Sequence, residues 1–420
     1  MNLKNLPEIH TEVIIVGAGP AGCSASLFLS KNGIKHVLLD KAKFPRDKIC
    51  GDALSGKVVE VIKKLDPSII GLMAADNKGF IPSWGVKFVA PNGKDIDIPF
   101  KSDMSKEPHA PGFISRRMHF DNFLVDRLDP VFSHLVQGSE VVSIIRKNSG
   151  VEVQYRNAEG IGIIKAPLII GADGDRSIVE KTFVDAPMNP NHYCAGIRAY
   201  YKGVSGMHPN NFIELHFLKE LLPGYFWIFP LPDGTANVGA GMLSRSISKN
   251  KVNLKAQMLK AIENNPAIKH RFAEATLEGK ISGWGLPLGS KKHSISGANY
   301  ILTGDAASLI DPFTGEGIGN AMYSGMLAAK ASQMALQQNN FSASFLHTNY
   351  DVAVYNRMWG ELKLSHTLQR LCRYPWLFNF VVNKANRNET LKATISCMFE
   401  DMDMRSRLSN PLFYFKLLVD

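Results

Sequence analysis

The sequence predicts an α/β chain: a Rossmann-like dinucleotide-binding domain gathered from three distant segments, an α+β domain on a mostly antiparallel sheet, and a helical C-terminal region. Three observations carry this. A β-branched run, Val13 to Val16, leads into Gly17, Gly19 and Gly22 and then into a small-residue helix. Two later strand-like runs, Leu168 to Ile170 and Ile301 to Thr303, each deliver an acid into a glycine-rich turn followed by a helix start. Residues 210–241 alternate with period two, whereas the chain beyond Leu336 reads mostly helical.

The first segment, Thr11 to Asp40, reads TEVIIVGAGPAGCSASLFLSKNGIKHVLLD. Gly17 allows a tight turn, Gly19 lets backbone approach a pyrophosphate, and Gly22 lets the helix lie against the strand. The helix beginning at Pro20-Ala21 offers free N–H groups and a partial positive charge to phosphates. Ala21, Ala25 and Leu29 share one face, and Asn32-Gly33 closes the helix. Asp40 ends the second strand, His36 to Leu39, where a carboxylate can accept hydrogen bonds from ribose hydroxyls. The motif alone does not separate one dinucleotide from another.

Residues Ala166 to Val179 read APLIIGADGDRSIV, with Ser177 placed to cap a helix. Residues Tyr300 to Asn320 read YILTGDAASLIDPFTGEGIGN, with Asp305 at the strand's end and a helix from about Gly317. Three motifs in this order resemble the glutathione-reductase-like flavoproteins, in the branch of aromatic hydroxylases, halogenases and geranylgeranyl reductases. The resemblance implies FAD held by a discontinuous ββα sandwich. It assigns to the cofactor Lys41 beside Asp40, and Asp173 and Gly174 in the second motif. In the third motif Asp305 would bond the ribityl chain, and the loop carrying Pro312, Gly315, Gly317 and Ile318 would lie against the isoalloxazine. Backbone N–H groups from Gly315 to Gly319 can stabilise negative charge on that ring. Arg117, in R-M-H-F-D, matches the family arginine that contacts FAD, and Val141 matches the strand position whose backbone meets the adenine.

Residues Asn210 to Gly241 read NNFIELHFLKELLPGYFWIFPLPDGTANVGAG. Alternation puts Tyr225, Trp227 and Phe229 on one face of one strand. Such a stripe is commonly core. The same residues fit P-x-x-Y-x-W-x-F-P, which looks like the geranylgeranyl reductase signature and there faces the flavin. Phe44 to Leu54, FPRDKICGDAL, is similar to the P-R-x-K-x-C-G segment of those reductases. That likeness places Arg46, Cys50 and Gly51 near the flavin and makes Cys50 a candidate proton donor, against the alternative of a buried small hydrophobe. Lys48 and Arg46 can depress a thiol pKa or hold a pyrophosphate headgroup. Related halogenases carry W-x-W-x-I-P and a G-E-S-type segment at these two places, so both departures count against halogenation.

Length and composition point to two domains plus the tail. The expected divisions are 1–80, 110–185 and 295–335 for FAD, 81–109 and 186–294 for substrate, and 336–420 for the C-terminal region. Five scattered cysteines without a C-x-x-C pair argue against a disulfide framework or a metal site, and favour the cytoplasm. A net charge of +10 suits an anionic membrane surface or a phosphorylated small molecule; no nucleic-acid motif accompanies it. Trp376 to Val382 and Pro411 to Val419 are apolar segments that either pack inward or rest, peripherally, on the inner membrane face. The resulting expectation is a FAD-dependent reductase that saturates C=C bonds of an isoprenoid lipid or quinone side chain, with Cys50, Tyr225 and Trp227 at the reacting centre. Its rivals are a FAD monooxygenase of an aromatic or lipid, and a non-catalytic flavin or lipid carrier. No second dinucleotide unit is evident, so the electron donor is NAD(P)H docking transiently or a ferredoxin.

Overall fold

The computed structural model describes residues 4–101, 103–148 and 150–388. Cys397 and the apolar segment Pro411 to Val419 lie outside these.

Strand Val13–Val16 has every residue buried, as a central parallel strand requires. It pairs in parallel with His36–Asp40 on one side and with Leu168–Gly171 on the other. Tyr300–Leu302 lies beyond Leu168–Gly171, and Ser133–Gln137 flanks His36–Asp40. Strands from all three motifs are therefore neighbours, and their C-terminal turns open at one end of one sheet. Ser296–Gly297 adds a short antiparallel edge.

Helices Pro20–Lys31 and Ile318–Gln337 cover one face. They pack so tightly that a Cβ at Gly325 would fall 2.2 Å from the Ala21 carbonyl oxygen. Against the other face lies a four-stranded sheet of Ile9–His10, Ile161–Ala166, Gly150–Arg156 and Glu140–Lys147. Its Val151, Val153, Tyr155 and Ile164 enter the same apolar core as Val13–Val16. This is the expected ββα sandwich.

A seven-stranded sheet forms the second body. Its order is Thr276–Pro287, Tyr193–Lys202, Thr235–Leu243, Tyr225–Pro230, Ile213–His216, Gly85–Val89 and Asp95–Pro99. Every pairing is antiparallel except Ile213–His216 with Gly85–Val89. After Gln337 the chain continues through Ala343–Leu346 and a π turn, His347–Asp351, into helix Val352–Leu371. The break at Arg373-Tyr374-Pro375 precedes the last of the described helices, Pro375–Ala385, with proline in its first turn. Among the described residues, Cys23, Cys50, Cys194 and Cys372 are free, and no helix is long and apolar enough to cross a membrane.

Candidate active site

The three motif turns open into one cavity of about 1800 Å³ that also reaches the aromatic stripe of Tyr225, Trp227 and Phe229. Ordinary small-ligand pockets measure roughly 300–1,000 Å³. There is room here for a dinucleotide and a second long molecule together.

The glycine end is built from the first motif. Gly17 has φ +99°, and a Cβ there would meet the Ala172 carbonyl oxygen at 2.4 Å. At Gly19 a Cβ would meet only Arg46 Nη2, at 3.8 Å, so its exposed side faces open cavity. No side chain caps the helix that starts at Pro20. Asp40 accepts from the N–H groups of Ala18 and Ala42, each at 2.8 Å, which fixes its carboxylate at the cavity wall. Lys41 and Val141 line the same wall; beside Val141 a bulge leaves the strand locally unpaired.

In the second motif Asp173 Oδ2 accepts from Ile178 N at 2.7 Å, and the expected cap forms, Ser177 Oγ accepting from Glu180 N. Gly174 has φ +80° beside open space. In the third motif, burial raises the Asp305 pKa, opposed by the charges of Lys48 and Arg117. Gly317 and Ile318 also line the cavity, but the helix start is less free than expected. The Gly319 N–H is taken by Glu316 Oε1 at 2.6 Å and the Gly315 N–H by the Asp311 carbonyl at 3.0 Å. Two other assigned residues do not line the cavity. Gly22 is spent on packing, since a Cβ there would lie 1.8 Å from the Gly17 carbonyl oxygen. Pro312 faces a small neighbouring void, and its carbonyl accepts from Gln369 Nε2 at 2.7 Å.

Cys50 and Gly51 stand between the two ends. A Cβ on Gly51 would lie 2.9 Å from the Phe229 ring, and one on Gly315 would lie 2.7 Å from the Tyr225 hydroxyl. The aromatic stripe therefore touches both loops, and Tyr225 also donates to the Thr314 carbonyl. Burial raises the Cys50 thiol pKa, with Arg117 the main opposing charge. This corrects the expectation that Lys48 and Arg46 depress it. Arg46 is committed to Asp121 at 2.7 Å, and Asp121 also holds Arg117 through two bonds of 2.7 and 2.8 Å. Burial wins, so the thiol stays protonated at neutral pH.

Sequence reasoning passed over the buried polar set behind Cys50. Asn237 accepts from Trp227 Nε1 at 2.8 Å and donates to the Cys50 carbonyl at 2.7 Å and to Asp52 Oδ2 at 2.8 Å. Tyr200 donates to the same Asp52 oxygen at 2.9 Å. Asp52 is fully buried at φ +69°, and burial pushes its pKa up to about 6. The available signals were an acid directly after Cys50-Gly51 and a polar residue inside the apolar alternation A-N-V-G-A.

Several buried polar atoms have no hydrogen-bond partner among the described residues: Asp173 Oδ1, Lys48 Nζ and Trp284 Nε1, all on cavity-lining side chains. Lys48 Nζ sits 3.4 Å from the Trp284 ring centroid, and burial pushes its pKa down to about 8. Orphaned acceptors and donors beside a glycine cradle fit a ligand with hydroxyls, phosphates and a polar ring.

The FAD binding domain family matches residues 10–341. The digeranylgeranylglycerophospholipid reductase of Methanococcus vannielii is 30% identical over 88% of this chain and 89% of its own. This chain belongs to the geranylgeranyl reductase family of FAD-binding proteins. It is a FAD-dependent oxidoreductase. The menaquinone reductase of Mycobacterium tuberculosis is another relative of this reductase-family chain, 29% identical over 76% of each. A solved geranylgeranyl bacteriochlorophyll reductase-like protein from Thermoplasma acidophilum superposes with a TM-score of 0.76, at 25% identity over 90% of this chain and 91% of its own. The flavin-dependent brominase Bmp2 shares the fold, with a TM-score of 0.74 at 20% identity over 97% of this chain and 99% of its own.

Proposed function

We propose that this enzyme saturates C=C bonds of an isoprenoid lipid or of a quinone's prenyl side chain. The observation that carries the reading is continuity: the glycine cradle and an arm walled by Trp227, Phe88, Leu215 and Phe378 are parts of one cavity, with Cys50 at their junction. A prenyl chain offers no hydrogen-bond handle and must be held by apolar area and shape. The names of the relatives support the same substrate class.

In this reading Gly17, Gly19, Asp40 and the helix at Pro20 hold the dinucleotide, with Arg46, Arg117, Asp173, Gly174 and Asp305 along its length. FAD held by these residues and reduced would be the source of hydride for one alkene carbon. Tyr225 and Trp227, fixed through Thr314 and Asn237, align the chain, where small misplacements are costly. The Cys50 thiol, kept neutral by burial, donates the proton to the other carbon and is reprotonated from solvent. NAD(P)H or a ferredoxin delivers the electrons, and the lipid is met at an anionic membrane surface. The FAD domain comprises residues 1–80, 110–185 and 295–335, and the substrate domain 81–109 and 186–294.

The test is mass spectrometry of prenyl lipids incubated with the reduced protein, with and without air. A gain of two hydrogens per double bond in both conditions supports the reductase. A gain of one oxygen only in air assigns a monooxygenase, and no change in any lipid assigns a carrier. Trp227→Ala should impair both turnover and chain selectivity; unchanged values would remove Trp227 from the substrate wall.

A further inference from the structure

Helix Pro375–Ala385 has two apolar faces with different surroundings. Phe378, Val381 and Val382 line the cavity, and Phe378 stands 4.4 Å, centroid to centroid, from Phe217 beneath it. The helix is tied to the hairpin of Gly85–Val89 and Asp95–Pro99 at its middle and at its C-terminal end. Asn379 Oδ1 accepts from Asn92 N at 3.1 Å, and Asn386 Nδ2 donates to the Asp95 carbonyl at 2.7 Å. On the outer side Trp376 is 68% exposed and Phe380, one turn along, 46%. Tyr374 and Leu371, in the preceding turn, are 55% and 42% exposed. Four large apolar side chains in one short stretch make a patch rather than the scattered exposure of an ordinary surface.

The charged residues along this stretch of chain have one sign. From Leu362 to Asn388 the sequence holds Lys363, Arg370, Arg373, Lys384 and Arg387 and no Asp or Glu. Aromatic side chains on a helix flanked by basic residues suit a bilayer interface, where rings sit at headgroup depth and cations meet anionic lipid. A protein partner would need no such uniform charge, and a second copy would bring like charges together.

We propose that helix Pro375–Ala385 docks on an anionic lipid bilayer through Leu371, Tyr374, Trp376 and Phe380, and that its inner face is the wall past which a membrane-borne chain enters the cavity. This rests on the isoprenoid reading for the second part only. The helix is then a portal: one face in the interface, the other on the substrate path, so the chain need not cross water in between.

The experiment is flotation of the full chain, loaded with FAD, with phosphatidylglycerol-containing vesicles and with pure phosphatidylcholine vesicles. The wild type should float with the anionic vesicles and much less with the neutral ones. Trp376→Ser with Phe380→Ser should weaken binding at least about tenfold, and Arg370→Gln with Arg373→Gln and Arg387→Gln about a hundredfold. Both variants should turn over a detergent-dispersed prenyl substrate at the wild-type rate, because none of the five residues lines the cavity. A wild type that stays with neither vesicle overturns the docking proposal. So does a double variant that floats equally well, or one whose melting temperature falls because the ring pair is packed by the chain beyond Asn388. Flotation without turnover of any prenyl substrate leaves the docking standing and removes the reductase reading instead.

Discussion

Asn237→Ala tests whether the aromatic stripe and the Cys50 loop are one mechanical unit. Asn237 is fully buried and its amide is the sole link between Trp227 Nε1, the Cys50 carbonyl and Asp52 Oδ2 in that set. Truncation removes a partner from each of the three. A buried polar group left unpaired costs about 1–3 kcal/mol, and more when charged. A water entering the vacated space would recover part of this, which leaves an expected loss of about 3–5 kcal/mol. Asn237 is also the strongest influence holding the Asp52 carboxyl down against burial, so its pKa should climb further above about 6. Urea unfolding at neutral pH with FAD in excess reads the loss, and near-ultraviolet circular dichroism reads the freed indole. A variant within about 1 kcal/mol of the wild type, with an unchanged aromatic signal, would refute the coupling.

The other predictions concern the cradle, the acid and the buried carboxyl. Gly22→Ala should unfold or lose about 3 kcal/mol or more, because its Cβ would overlap the Gly17 carbonyl, whereas Gly19→Ala should melt normally without cofactor yet bind FAD more weakly. Calorimetry and flavin titration separate the two. Cys50→Ser should keep FAD and lower turnover by about a hundredfold; a rate within twofold of the wild type would hand the proton transfer to water. Asp52→Asn should change the pH profile of stability. The folded pKa of about 6 lies above the ordinary aspartate value of 3.8, so between them the folded state holds a proton that the unfolded state has lost. Wild-type stability should therefore fall by about 3 kcal/mol as pH rises through that window, relative to the non-titrating variant, and stay level above it. Wild-type stability that rises through that window relative to the variant would contradict the assignment.

Most of the cradle was legible because backbone constraints leave marks in residue type. Gly17 must adopt positive φ and Gly22 must admit another backbone atom, and only glycine does either. The aromatic stripe was legible for a similar reason, since alternation fixes a strand's two faces before its partners are known. The polar set behind Cys50 was not. Asp52, Tyr200 and Asn237 come from three separate elements, and nothing local marks an Asn in a strand as the partner of a Trp ten residues away. The Cys50 pKa failed for a related reason. Lys48 and Arg46 are near in sequence, but Arg46 is held by Asp121 from the distant helix Arg117–Val125, and burial outweighs the neighbouring charge. Adjacency along the chain is a poor guide to which charge a thiol feels.

The interleaving of the central sheet constrains how the chain is made. Val13–Val16 leaves the ribosome long before one of its flanking strands, which begins at Leu168, and before that strand's other neighbour, which begins at Tyr300. Until synthesis has passed the third motif, a fully apolar strand and the helix behind it have no finished surface to settle on. Contacts of such separation are closed late and slowly. The seven-stranded sheet, by contrast, takes five of its strands from residues 193–287; two of their four pairings join consecutive strands and can form as those emerge, and the other two close within the same stretch of chain. A nascent chain that stalls near residue 290 therefore carries much of the seven-stranded sheet beside an open parallel sheet. Aggregation, and the demand for chaperones, should be concentrated in that interval.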